Sequence, residues 1–287
     1  MTAAAGPSPL AGARSFLFTP ASSERMLAKL PGSNADVVVV DLEDGVAADR
    51  KQAAREGYRA AYAELCQAPA VLAVRINGGD SPEHGADLEL LAAAPPAAVV
   101  IPKATPDSVR EAAAIGLPLI AAVETAASVL AAAEIAAAEA VAALTIGAAD
   151  LGQELGLEDR PDRQQLLGVR SAIVLASAAA GLRRPIDAVF MDVGDTSGLE
   201  DECGYARALG FGAKAAIHPA QVDPINAAFA PTAEQLEWAR RVVSAYEEAT
   251  SAGSGAVSVD GELVDLPVVR RARDLLALAS PQESVVS

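Results

Sequence analysis

Short apolar runs that stop on a polar or charged residue recur along the chain. The plainest is 118–125, PLIAAVET, an unbroken apolar stretch that ends on Glu124. A run of this length, with Gly116 and Pro118 before it and a polar pair after it, reads as a strand buried on both faces. Residues 36–44, DVVVVDLED, repeat the pattern with consecutive valines followed by acids. The same reading predicts strands over 14–20, 71–77, 97–103, 143–150, 186–192 and 213–219. Between them lie helical patterns at 22–30, 50–66, 82–94, 106–115, 126–139, 162–180, 199–209 and 220–228, with Ser22 or Ser23 placed to cap the first.

Eight strand–helix units in succession predict a parallel sheet covered on both faces. They match an α/β fold of the TIM (β/α)8 type. An open doubly wound sheet is the competing architecture. Against it, no GxGxxG follows the first strand. Polar tips also end nearly every strand, whereas a switch-point site would use only the few beside its crevice. In a barrel these tips converge at one end, and that end carries the active site.

The remainder differs. A helix over 231–249 carries Trp238, Val242, Val243 and Tyr246, and a Gly/Ser-rich flexible segment follows at 250–259. Asp260-Gly261 is a turn signal, and Pro267 sits near the start of a last helix over 267–278. The expected organisation is a disordered tail at 1–13, a barrel at 14–229, and a C-terminal helical arm at 230–287.

Composition narrows the possible partners. The chain is 52% hydrophobic but only 3% aromatic, so alanine carries much of the packing. A formal net charge of −16 argues against nucleic acid and anionic membrane as partners. No apolar run reaches the length of a membrane span. The N-terminus lacks the charged and apolar regions of a signal peptide. Cys66 and Cys203 form neither a CxxC pair nor a metal-ligand spacing. The expectation is a cytoplasmic protein acting on a small molecule.

At the predicted tips, Glu124 and Asp150 have no nearby His or Cys, and two carboxylates with room for water suit Mg²⁺ or Mn²⁺. The alternative is an ion pair with Arg75 or Lys103. Arg75 is a natural clamp for a substrate carboxylate, or a counter-ion for Glu43 or Asp44. Asp41, Glu43 and Asp44 form too acidic a group for a core. Gly147, Ala148 and Ala149 let backbone N–H groups approach a ligand. His218 is either a base or a structural hydrogen-bonding group, the latter being favoured, and His84 reads as exposed. Lys103 could form a Schiff base, but its many acidic neighbours keep an ammonium protonated.

Taken in order, RSFLFTP, DVVVVDLEDGVA, VRIN, IPK, AVET, IGAADLGQELG, IHPAQ and DGELVDLPVVRRAR resemble the citrate lyase beta-subunit-like branch of the HpcH/HpaI aldolase superfamily. The resemblance runs from about residue 14 to 278. DLEDGV departs slightly from that branch's common DLEDAV. The resemblance implies a TIM barrel, Mg²⁺ on Glu124 and Asp150, Arg75 on the substrate carboxylate, and Glu43 and Asp44 within the site. In CoA-ester lyases of this family an aspartate of the C-terminal arm enters the site of a neighbouring subunit in a trimer. The matching residue is Asp265.

The implied activity is cleavage of a 3-hydroxy acyl thioester such as citramalyl-, malyl- or citryl-CoA, or the reverse condensation with a 2-keto acid. The thioester is carried on CoA or on an acyl carrier protein. Competing readings are a metal-dependent aldolase on free keto acids and a non-catalytic subunit.

Overall fold

A computed structural model describes residues 8–158, 164–251 and 253–279. Eight parallel strands close into a barrel in chain order. They are β1 (Ser15–Pro20), β2 (Val37–Asp41), β3 (Val71–Arg75), β4 (Ala98–Ile101), β5 (Leu119–Val123), β6 (Val141–Ile146), β7 (Ile186–Asp187) and β8 (Ala213–Ala216). Helices join them, and the fold is a TIM barrel.

The valine run shows why this sequence closes a ring. Val37–Val40 are all 0% exposed because successive side chains alternate between two apolar layers. Val37 and Val39 point into the lumen with Phe16, Ala73, Val100 and Ile120. Val38 and Val40 face the helices with Tyr58, Leu90 and Leu144. Burying each valine contributes roughly 1.5–3 kcal/mol.

Chain ends and connections correct several expectations. Residues 1–7 of the expected tail lie outside the described residues, but in 8–13 Leu10 and Ala13 are buried against the barrel. Leu10 is fully buried with the lumen cluster, and the Arg183 guanidinium donates to the carbonyls of Leu10 and Ala13. Ser23 stands at the N-cap of the first helix but its side chain makes no capping bond. The expected helix 126–139 is two short ones, Ala126–Leu130 and Ala132–Ala136. Residues 162–163 lie outside the described residues, and that helix runs Leu167–Ala179.

Strand β7 is two residues long and shares a single register pair with β6, Thr145↔Ile186. Buried charges reinforce this seam. Lys214 Nζ, fully buried, donates to Asp187 Oδ2 at 2.8 Å and Glu202 Oε1 at 2.6 Å. Arg170 Nε donates to Asp187 Oδ1 at 2.9 Å. Burial alone would raise the Asp187 pKa, but Lys214 and Arg170 outweigh it and hold the pKa low.

The chain divides into two compact units between Phe229 and Ala230. In the second, the helices Ala233–Ser251 and Leu266–Ala279 pack through Ala239, Val242, Val269 and Ala272. The expected flexible segment 250–259 is partly ordered. Its last residues form β9 (Val257–Val259), which pairs antiparallel with β10 (Glu262–Val264). Asp260 and Gly261 both have positive φ, as a two-residue hairpin loop requires. Among the described residues no helix is long and apolar enough to cross a membrane.

Candidate active site

The C-terminal ends of the strands surround a cavity of about 900 Å³. Asp41 ends β2 and Arg75 ends β3, and the parallel register sets them side by side. The guanidinium grips the carboxylate with both arms, Nε to Oδ1 and Nη2 to Oδ2, each at 2.7 Å. Asp41 also accepts the N–H of Glu43 at 2.9 Å and of Gly45 at 2.8 Å. A Cβ at Gly45 would approach Asp41 Oδ2 closely, so the alanine common in the related branch would need that carboxylate to shift. The guanidinium lies 5.4 Å from the Phe18 ring centroid.

This arrangement narrows the reading of Arg75 as a clamp. Its main counter-ion is Asp41, which holds it with two hydrogen bonds, and Glu43 is a second counter-ion, as the sequence reading allowed. Glu43 Oε2 lies 3.0 Å from Nη1 but without hydrogen-bond alignment, and it has no other hydrogen-bond partner. Asp41 therefore takes the Nε–Nη2 edge of the fork, and a ligand that reaches Nη1 would share it with Glu43. Burial alone would lower the Arg75 pKa, but Asp41 and Glu43 raise it, so the cation is permanent. Asp44 is exposed and lines the cavity.

Glu124 follows β5 and is 4% exposed. Lys103 N–H donates to its Oε1 at 2.6 Å. Behind it, Thr125 and Ser128 form a capping box that starts the next helix and fixes the turn. Burial pushes the Glu124 pKa up to about 7, the like charges of Glu43 and Asp150 add to this, and the Lys103 N–H and Arg75 oppose it. Gly147 must be glycine, since a Cβ there would meet the Glu124 side chain. Burial likewise raises the pKa of Glu43, against the pull of Arg75.

Asp150 was expected at a strand tip; it lies instead in the first turn of the helix Ala148–Leu155. Gly147, Ala148 and Ala149 do line the cavity, but the Gly147 N–H is already bonded to the Val123 carbonyl. Only Ala148 and Ala149 bring helix-start N–H groups without intrahelical acceptors. Lys103 Nζ lies 3.6 Å from Glu43 Oε1 and 3.7 Å from Asp150 Oδ1. Burial would lower its pKa, but Glu43, Asp44 and Asp150 raise it, so the Schiff-base reading is disfavoured. His218 is exposed at the rim and accepts the Ala220 N–H at Nδ1, in line with the structural role.

Asp265 lies in the second unit, where its carboxylate accepts from the Val268 N–H at the start of the last helix. Two rim cations escaped the sequence reading. Arg25 and Lys29, both exposed on the segment after β1, line the cavity with Met26. Their place directly after a strand end was the available signal.

The donor set fits a hard divalent cation. Glu124 and Asp150 offer only oxygen, and charge repulsion between them is relieved by a cation. Among the described residues no group of three or more His, Cys, Asp or Glu is placed to hold a metal alone. A metal here would complete its shell with water and substrate oxygens, as Mg²⁺ does.

Residues 14–219 match the HpcH/HpaI aldolase/citrate lyase family. A (3S)-malyl-CoA thioesterase of Cereibacter sphaeroides is 40% identical over 269 residues, covering 93% of this chain and 94% of the relative. A citrate lyase subunit beta-like protein of Mycobacterium tuberculosis is 38% identical over 279 residues, covering 94% and 96%. The crystal structure of CitE from M. tuberculosis with magnesium, acetoacetate and coenzyme A superposes with a TM-score of 0.79 at 38% identity, covering 94% of this chain and 98% of that one. In sequence and in barrel architecture alike, the chain belongs to the HpcH/HpaI aldolase/citrate lyase family.

Proposed function

We propose that the chain is a Mg²⁺-dependent carbon–carbon lyase acting on a 3-hydroxy acyl thioester, or running the reverse condensation with a 2-keto acid. The observation that carries the reading is the cavity, where two oxygen-only acids, Glu124 and Asp150, face the same space as the permanent cation Arg75. The CoA and magnesium in the related CitE structure support it.

In this reading Glu124 and Asp150 hold Mg²⁺, which supplies Lewis-acid stabilisation of the oxygen charge that develops. The Nη1 side of Arg75, shared with Glu43, binds the keto-acid portion, and the Asp41 fork fixes its direction. Arg25 and Lys29 at the rim meet the phosphates of CoA or of an acyl-carrier arm. In the cleavage direction a base takes the 3-hydroxyl proton as the C2–C3 bond breaks. The bonding electrons pass to the thioester carbonyl as an enolate, and an acid returns a proton to C2. Asp265 is the acid–base group, brought by the arm of a neighbouring copy in a trimer, while Glu43 and Asp44 complete the acidic wall.

A second reading, hydrolysis of the thioester at the same site, is favoured by the name of the 40% identical relative. A product assay separates them. Malyl-CoA should give acetyl-CoA and glyoxylate from a lyase, but malate and free CoA from a thioesterase. Acetyl-CoA or propionyl-CoA with glyoxylate, pyruvate or oxaloacetate tests the reverse direction. Arg75→Ala and Asp265→Ala chains, each inactive alone, should regain part of the activity when co-assembled. No recovery in verified mixed oligomers would reject the shared site.

A further inference from the structure

Among the described residues only Lys103 and Asp260 are non-glycine residues with positive φ, at 43° and 54°. Asp260 sits in a hairpin loop that demands this conformation. Lys103 has no such excuse, and glycine or asparagine would adopt the same backbone with less strain. The conformation directs its N–H onto Glu124 Oε1. A glycine would direct the N–H equally well, so the retained side chain calls for its own explanation.

That side chain is 47% exposed and is not held by packing. Its ammonium stands between Glu43 and Asp150 at 3.6 and 3.7 Å, beyond hydrogen-bond length from either. Those distances describe a counter-ion placed by charge. One of its partners, Asp150, is also one of the two acids assigned to the metal. An ammonium and a divalent cation thus compete for the same carboxylate.

We propose that Lys103 is the resident counter-ion of the metal site: it balances Glu43 and Asp150 while no divalent ion is bound, and it gives up Asp150 when one arrives. The inference rests on the metal reading of Glu124 and Asp150. Lys103 is thus a positioning residue that offsets the repulsion between the acids and sets how tightly the site holds its metal.

Mn²⁺ titration followed by electron paramagnetic resonance, without substrate and at pH 8, tests this on the full-length protein. Removing a like charge beside a divalent ion in a half-exposed site should tighten Mn²⁺ binding about tenfold in Lys103→Met. Lys103→Asn, which suits the left-handed backbone, should do the same, and Lys103→Arg should stay within about twofold of wild type. Equal or weaker binding in both neutral variants, with Mn²⁺ bound by wild type, would overturn this proposal alone. No Mn²⁺ binding by any of the four proteins would overturn the metal reading and this inference together.

Discussion

Replacing Glu124 by glutamine separates the stability of the metal-free barrel from its capacity to hold a cation. In the folded chain burial raises the Glu124 pKa from its ordinary 4.5 to about 7. Folding therefore favours the protonated acid. Below about pH 4.5 the carboxyl is neutral in folded and unfolded chains alike, and burial carries no ionisation penalty. As pH rises the unfolded chain ionises first, and above about 7 the folded chain bears the full cost. The interval from 4.5 to about 7 corresponds to about 3 kcal/mol. Glutamine stays neutral, and its Oε1 still accepts the Lys103 N–H. In EDTA, Glu124→Gln should thus gain stability over wild type between pH 5 and pH 8, by up to about 3 kcal/mol. Adding Mg²⁺ at pH 8 should stabilise wild type and leave the variant unchanged. Urea unfolding followed by far-ultraviolet circular dichroism is the assay, because the sole tryptophan, Trp238, lies in the second unit. A stability difference that does not change with pH, or one that moves against the glutamine as pH rises, would refute the reasoning.

Arg75→Lys should lower kcat/KM by about a hundredfold or more, since an ammonium cannot hold Asp41 with two arms and still offer a second face to substrate; wild-type kinetics would reduce Arg75 to charge balance. Lys214→Met removes the buried cation that Asp187 and Glu202 share and should destabilise the barrel by about 3–5 kcal/mol in chemical denaturation.

The layered core was legible because a run such as Val37–Val40 has one sensible place, a strand with apolar layers on both sides. The family resemblance and the barrel followed from the order of such runs. The Asp41–Arg75 fork was not legible, since cross-strand register decides it and no single strand records its neighbour's offset. Asp150 was misplaced because Gly147-Ala148-Ala149 carries no mark of where strand yields to helix, alanine serving both. Lys214 hid inside AKAAIHP, where nothing announces four buried charges at a weak seam. Leu10 was lost in a stretch whose Ala, Gly, Pro and Ser content reads as a loose tail.

That last residue bears on how the protein is cut for study. The family match opens at residue 14, and a gene trimmed to it would begin one residue before β1. Leu10 and Ala13 would go, and Arg183 would lose both carbonyls it now holds. The floor of the lumen, with Phe16, Val37 and Ala98, would then open to water at the end opposite the catalytic mouth. An inactive or aggregated preparation of that shortened chain would report a missing stopper, and would be silent about the chemistry overhead.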